Sequence, residues 1–500
     1  MARLRIPSNF IGTLGSDTLV GEELNASPAI GIDILIGGYV LTLSGKDTLT
    51  GISTGNDGGS GTGIANRGKL NTGNGSDAIA AIGDGGNGSK GGNGGSGTGI
   101  ANSGQLNTGN GSDAIGAIGD GGKGSDIGNG GKGGNGGSGT GIANSGKLNT
   151  GDGNEAIGAS GDGGNGGVGG NGGNGGNGIG IANNGELNTG DGNEAIGASG
   201  DGGNGGNGGN GGNGGNGTGI ANNGELNTGE GNDAIAGSGD GGNGGYGGDT
   251  NSDKYIPLLG KGGNGGTGIG IANNGELDTG GGNDAIAGTG NGGTAPKGGF
   301  EGYGGAGIGI QNVKGATITT WTGKDTITGN GNSSRANSTT YGIFNDGVID
   351  TGKGSDKVIG QAIATDAYNN DGLVYGIYGQ GIIKTDDGND QIIATGILDG
   401  VQQQVSIGGG INIDLGTGDD YFKGFGVASV DGGYGFDTLD LTAFNRSQLL
   451  VSGVISGNTL NCATFTFNSN GNPISFSITG FEKFIFADSS FSYSTLANRA

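Results

Sequence analysis

The residues best equipped for chemistry are carboxylates that return at one position of a recurring unit. The unit reads T-G-x-G-x-D-x-I, for example Thr72, Gly73, Gly75, Asp77 and Ile79. Its glycines allow a tight turn whose carbonyls point inward, the aspartate adds a hard oxygen, and the isoleucine two residues later plugs the turn into a core. Calcium takes ~6–8 oxygens from carboxylates and backbone carbonyls in flexible geometry. The motif carboxylates are Asp17, Asp47, Asp77, Asp113, Glu155, Glu194, Asp233, Asp284, Asp325, Asp356, Asp390, Asp420 and Asp437. Stacked one coil apart they would repel, and intervening cations are the natural resolution.

Other chemistries are excluded by composition. The chain has no histidine and one cysteine, Cys462, so a Ser-His triad, a histidine-ligated metal, a disulfide framework and a thiolate cluster are all impossible. With 22 basic and 46 acidic residues the net charge is −24, which disfavours nucleic acid and favours cations as partners. No window approaches the ~20 apolar residues of a membrane span, and the start, MARLRIPSNFIGTLGSD, has no apolar stretch of signal-peptide length.

The elements that must position these carboxylates are set by an internal repeat. A longer unit, GIANxGxLNTGxGxDAI, begins at Gly63, Gly99, Gly141, Gly180, Gly219 and Gly270, with degenerate copies from Gly309, Gly342 and Gly376. Ile64, Leu70 and Ile79 keep fixed offsets in every full copy, so the length variation lies between units. One repeat per turn of a solenoid places these three positions in three inward columns, and stacking turns a few apolar side chains per coil into a continuous narrow core. Asn66, Asn102, Asn144, Asn183, Asn222 and Asn273 stand at the first bend, either as a stacked ladder or simply as turn formers.

Glycine, 140 of 500 residues, is concentrated between the units in arms such as GGNGGNGGNGGNGGNG at Gly202–Gly217. Such composition reads as flexible linker or as polyproline-II-like helices with three residues per turn. The spacings between units from Gly63 to Gly342 are all multiples of three, which favours the ordered reading. An arm such as Gly83–Gly97 would then span roughly 45 Å at ~3.1 Å per residue. The insert Asp249–Gly260 reads as a surface loop or a contact patch.

The motif resembles the GGxGxDxUx nonapeptide of hemolysin-type (RTX) calcium-binding proteins, which Gly432-Gly433-Tyr434-Gly435-Phe436-Asp437-Thr438-Leu439 matches in full. Most copies carry Thr for the first glycine. Glu155 and Glu194 replace Asp, and Ser44-Gly45-Lys46-Asp47 and Thr322-Gly323-Lys324-Asp325 lack the second glycine. The resemblance implies calcium held between turns of adjacent coils, with Asp17, Asp77, Asp113, Asp233, Asp284, Asp356, Asp390, Asp420 and Asp437 as the metal ligands. The segment Gly480–Leu496 is similar to the terminal segments of RTX proteins exported through type I channels, which implies an extracellular or cell-surface destination.

The expected fold is all-β: a parallel β-solenoid (β-roll or β-helix) with polyproline-II-like arms and a C-terminal β cap. Its regions are an N-terminal cap with the first coils (1–62), the glycine-rich repeats (63–307), arm-free degenerate coils (308–440) and the cap with the secretion segment (441–500). The expected function is that of a secreted or surface calcium-binding protein with a structural or adhesive role, folding as calcium binds. It is not expected to be an enzyme. Extracellular polysaccharide and further copies of the chain are candidate partners, although glycine-poor segments at both termini read as caps and favour a monomer.

A competing expectation is recognition of an ordered lattice such as ice, with Thr72, Thr108, Thr150, Thr189, Thr228 and Thr279 as an exposed rank. Those threonines otherwise fill a slot in the turn. Trp321, Tyr341, Tyr368, Tyr375 and Tyr378 gather in the arm-free coils, where aromatics either stack on sugars or pack core and edges.

Overall fold

The computed structural model describes residues 2–127, 131–247, 260–296, 302–334, 339–365, 373–456, 459–469 and 471–492. The chain is a parallel β-solenoid. One coil contains three strands, as in Gly61–Asn66, Lys69–Asn71 and Ala78–Asp84. The first two belong to one long parallel sheet and the third to another. Successive coils pair in register, so Ile64 lies beside Ile100, Leu70 beside Leu106 and Ile79 beside Ile115. All three expected columns are buried, each residue at most 2 % exposed. The columns continue through the degenerate coils as Ile310, Ile343 and Ile377, then Ile318, Ile349 and Ile383, then Ile327, Val358 and Ile392.

The two sheets meet too closely for side chains along one margin of each coil. A methyl group on Gly99 would stand 2.6 Å from the carbonyl oxygen of Gly141 and 2.7 Å from the nitrogen of Ile118. Glycine is required there because backbone packs on backbone.

The arms are ordered. In the triplet Gly202-Gly203-Asn204, Gly202 donates to Asp240 O of the next coil (2.7 Å) and Gly203 to Gly176 O on the returning leg of the preceding coil (2.8 Å). Asn204 donates its N–H to Asn165 Oδ1 (2.8 Å). All three N–H groups of a triplet are therefore satisfied with a period of three, as a bundle of polyproline-II helices requires. The expected 45 Å reach is corrected, because each arm doubles back on itself. Gly95 donates to Gly86 O within Gly83–Gly97, and Gly212 and Gly215 donate to Gly206 and Gly203 (each 2.8 Å). The GGN repeat reads alike going out and returning, which hides the reversal. The insert at 249–259 lies outside the described residues.

At the N-terminal end, strands Leu4–Ile6, Asn9–Ile11 and Thr18–Ala26 pair in parallel with the following coil and form the first coil themselves. At the other end Leu450–Ser456, Thr459–Ser469 and Asn472–Thr479 make an antiparallel sheet, and the last strand joins Gly426–Asp431 in parallel. Phe422, Phe425, Phe444, Phe465, Phe476, Phe481 and Phe484 fill this β cap and are fully buried.

Two glycine substitutions separate arm packing from strand propensity. A methyl at Gly164 would lie 2.1 Å from Gly122 O, whereas at outward-facing Gly158 it meets nothing within 4 Å. Gly158→Ala is expected to be neutral or to stabilise by ~0.4–1 kcal/mol. Gly164→Ala should lower the melting temperature by several degrees and raise amide exchange in the adjoining arms.

Candidate metal centre

The bend after each second strand is built on stacked carbonyls. A methyl on Gly75 would stand 1.5 Å from Gly45 O, and one on Gly282 would stand 1.2 Å from Gly231 O. From Gly75 to Gly435, every glycine two residues before the acidic position therefore sits directly on its counterpart's carbonyl, at 1.2–1.6 Å for an added methyl. This corrects the alignment of the irregular copies. Gly45 and Gly323 occupy the second-glycine place, and the residues replacing the first glycine are Leu43 and Trp321, with left-handed φ of 73° and 59°. That region is unfavourable for bulky side chains.

All nine expected ligands fall in a single column, and Asp47, Asp325, Glu155 and Glu194 fall in the same column. Asp17 is half-buried at the open end, and the other twelve are at most 2 % exposed. The column is a hydrogen-bonded ladder. One oxygen of Asp47 accepts the backbone N–H of Asp17 (2.7 Å), Asp77 that of Asp47 (2.8 Å), and Asp113 that of Asp77 (2.7 Å). The pattern resumes where Asp233 accepts from Glu194 (3.0 Å). It then runs through Asp284, Asp325, Asp356, Asp390 and Asp420 to Asp437 at 2.7–2.9 Å. Glu482 ends it by accepting the N–H of Asp437 (2.7 Å).

The second carboxylate oxygen competes for one proton. The threonine five residues earlier donates either to it, as Thr228 does to Asp233 and Thr279 to Asp284 (both 2.7 Å), or to the next coil's threonine carbonyl, as Thr72 does to Thr108 O (3.2 Å). A hydroxyl has one proton, so it serves one acceptor and leaves the other short. The second oxygens of Asp77, Asp113, Asp325, Asp356, Asp390, Asp420 and Asp437 are buried without a donor. The threonine column itself is at most 1 % exposed from Thr72 to Thr279, which corrects its reading as an exposed lattice-binding rank: it fills the turn slot.

Glu155 and Glu194 interrupt the ladder. Both oxygens of each are buried and unpartnered. The extra methylene carries the carboxylate past the N–H that an aspartate would meet.

The electrostatics follow from these shortages. Burial pushes Asp113 and Asp390 up to about 6, and Asp284, Asp356, Asp420 and Asp437 up to about 7. Burial also raises Asp77, Asp325, Glu155 and Glu194, the last further through its acidic neighbours Asp233 and Glu155. Among the described residues no three acidic side chains converge on a point. A cation here would take carboxylate oxygens from the column together with bend carbonyls. The orphaned oxygens and the hard, all-oxygen donor set fit calcium.

Three features were not anticipated. Glu482 lies outside any repeat. Asp33 is a buried carboxylate paired with Arg3 and Arg67. Asp84, Asp120, Asp162, Asp201 and Asp240 form a second, half-buried acidic column at the base of the arms, in which burial raises Asp84, Asp120 and Asp201. The recurring GDGG that opens each arm was its visible signal. The bends flanking the first and second strands differ in one respect. The asparagines of the first bend form the ladder reading, with Asn66 Nδ2 donating to Asn102 Oδ1 (2.8 Å) and to Gln105 O (2.9 Å), and so on through the column.

No family model matches the chain, and no curated protein matches it. Among solved structures it is similar to a hyperactive, Ca2+-dependent, beta-helical antifreeze protein from an Antarctic bacterium, at a TM-score of 0.37 and 16 % identity, covering 95 % of this chain and 94 % of that one. A likeness this loose carries no argument about the site.

Two outcomes are expected. Raised carboxylate pKa values mean that the metal-free folded state holds more protons than the unfolded state between about pH 4 and 7. Its stability should be full below that window and fall as pH rises through it, so melts in chelator should give a lower melting temperature at pH 8 than at pH 5. Glu155→Asp combined with Glu194→Asp should restore the interrupted hydrogen bonds and raise denaturant stability by ~1–3 kcal/mol.

Proposed function

We propose that the chain is a calcium-binding β-solenoid with a structural or adhesive role at the cell surface or outside the cell, and not an enzyme. The observation that carries this is the donor shortage along the acidic column: the second oxygens of Asp77, Asp113, Asp325, Asp356, Asp390, Asp420 and Asp437 are buried without a donor, and where a threonine stands five residues earlier, its one hydroxyl proton is shared between the carboxylate and a backbone carbonyl. A divalent cation at the bend would supply that missing positive charge to both. Its binding free energy would then add to folding. Extracellular calcium, at the concentrations where extracellular modules bind it (~10⁻⁴–10⁻³ M), suits such a site. Export by a type I route is supported by the resemblance of Gly480–Leu496 to such signals, of which residues from 493 onward lie outside the described structure.

A second reading is recognition of an ordered lattice. With the threonines buried, its support moves to the third strands, whose outward positions Ala114, Ala156, Ala195, Ala234 and Ala285 are exposed and one coil apart.

Chelator-stripped protein titrated with calcium, with magnesium as control, tests the first reading. Far-ultraviolet circular dichroism should show a cooperative, calcium-specific gain of β signal. The emission of Trp321 should shift with it, because this lone tryptophan stands in an acidic bend four residues before Asp325 and donates to Asp278 (2.9 Å). An ordered spectrum that calcium leaves unchanged would overturn the calcium reading. Freezing hysteresis in the same sample would then support the lattice.

A further inference from the structure

The strongest unassigned feature is a cleft of about 810 Å³ beside the arm-free coils. In the repeats, the space between the end of a third strand and the start of the next first strand is filled by arms. Here strand Gln391–Leu398 instead turns into the short antiparallel strand Val401–Gln402. The chain then passes through Gln403, Gln404 and Val405 to strand Ile407–Asp414. The tip of the cap hairpin, at Phe467 and Ile474, forms the opposite wall. The arm is missing and nothing among the described residues replaces it.

The lining has a consistent chemistry. None of the thirteen lining residues among those described is charged, in a chain of net charge −24. Tyr375 forms one side and belongs to an array of four rings on the outward face of neighbouring first strands. Tyr341 and Tyr375 are stacked with centroids 6.5 Å apart and planes 14° apart, and Phe344 and Tyr378 are stacked at 6.0 Å and 23°. The array ends over a glycine: a methyl on Gly408 would stand 2.7 Å from the Tyr378 ring and 3.0 Å from Tyr375. Three consecutive amides, Gln402, Gln403 and Gln404, also line the cleft. Gln403 Nε2 donates to Val401 O (2.9 Å) and Gln404 Nε2 to Ala443 O (3.1 Å), which orients both side chains. Asn468 and Ser469 add further donors and acceptors.

We propose that this cleft is a binding site for a neutral oligosaccharide. A pyranose presents C–H groups on its faces and hydroxyls around its rim. Aromatic faces carry partial negative charge and meet the C–H groups, and side-chain amides, which both donate and accept, meet the hydroxyls. A charged ligand would find no counter-ion in this lining, and burying its charge there would be unfavourable. The size suits two to three sugar rings within the usual range of ligand pockets, ~300–1,000 Å³.

The test is isothermal titration calorimetry of calcium-saturated protein against cellohexaose, maltohexaose, mannohexaose and chitohexaose, with circular dichroism confirming the fold. Calcium saturation completes the fold whether or not the ion is its organiser, so failure here is separable from failure of the calcium reading. At least one hexaose should bind saturably with one site. Tyr375→Ala should weaken it at least tenfold, Tyr375→Phe should keep it within threefold, and Gln404→Ala should weaken it severalfold. Val401 is an exposed rim residue, and Val401→Trp should block the site without disturbing the core. No binding by any of the four sugars, or binding that survives both Tyr375→Ala and Val401→Trp, would overturn the proposal.

Discussion

Parallel, in-register stacking decides what every side chain in this protein meets: its own counterpart, one strand spacing away. At ~4.8 Å per coil each repeat position becomes a column of identical chemistry. Columns of isoleucine and leucine gain from this, because apolar neighbours complete a core that no single coil could bury. Columns of asparagine gain as well, since each amide carries donors and acceptors in equal supply and hands one to the next. Glycine columns let backbone approach backbone, which is how the two sheets and the arms close without side chains.

The carboxylate columns are at odds with the rule, the one at the second bend most of all. Aspartate offers acceptors alone, so a stack of them must import donors. The backbone N–H supplies one per coil except at Glu155 and Glu194, and a threonine hydroxyl, where there is one, must serve either the carboxylate or a carbonyl, which leaves most bends short. The contrast with Asp33 is informative. There the chain meets a buried carboxylate with two arginines of its own, whereas none of the resolved ion pairs reaches a member of the ladder. A buried charge without a partner is costly, so a column of them persists only if protons or external cations complete it. Raised pKa values and the proposed calcium binding are two expressions of that one shortage.

The same rule explains what was legible in the sequence. Ile64, Leu70 and Ile79 announce the core because fixed offsets survive any change in arm length. The acidic column is legible for the same reason. Gly45 and Gly323 were set one place too early because glycines were matched to glycines, while the structure aligns the carbonyl on which each glycine rests. The threonine column was open to reading as a surface rank or as a turn slot, because periodicity reports repetition and says nothing of which way a side chain faces at a bend. The arm reversal is invisible in a sequence whose triplet is the same in both directions, and Glu482 ends the ladder from a segment that carries no repeat.

Stacking also partitions the chain by role. In the arm-bearing coils the outward positions of the third strands are mostly small, as at Ala114, Gly116, Ala156 and Gly158, while the second strands turn out Lys69, Gln105, Lys147, Glu225 and Glu276, and the glycine arms spend most of their donors within the bundle. Such a surface is stable and regular, but it has few groups with which to distinguish one small ligand from another. Where the arms stop, the constraint on adjoining positions lifts, and tyrosine, phenylalanine and glutamine appear together. The cleft lies further on, between the last arm-free coils and the cap hairpin, where no arm fills the volume beside Leu398 and Val401. The large side chains around it are those that a tightly spaced glycine bundle would have excluded. The oligosaccharide site proposed here therefore falls among the irregular coils, which the regular ones hold in place.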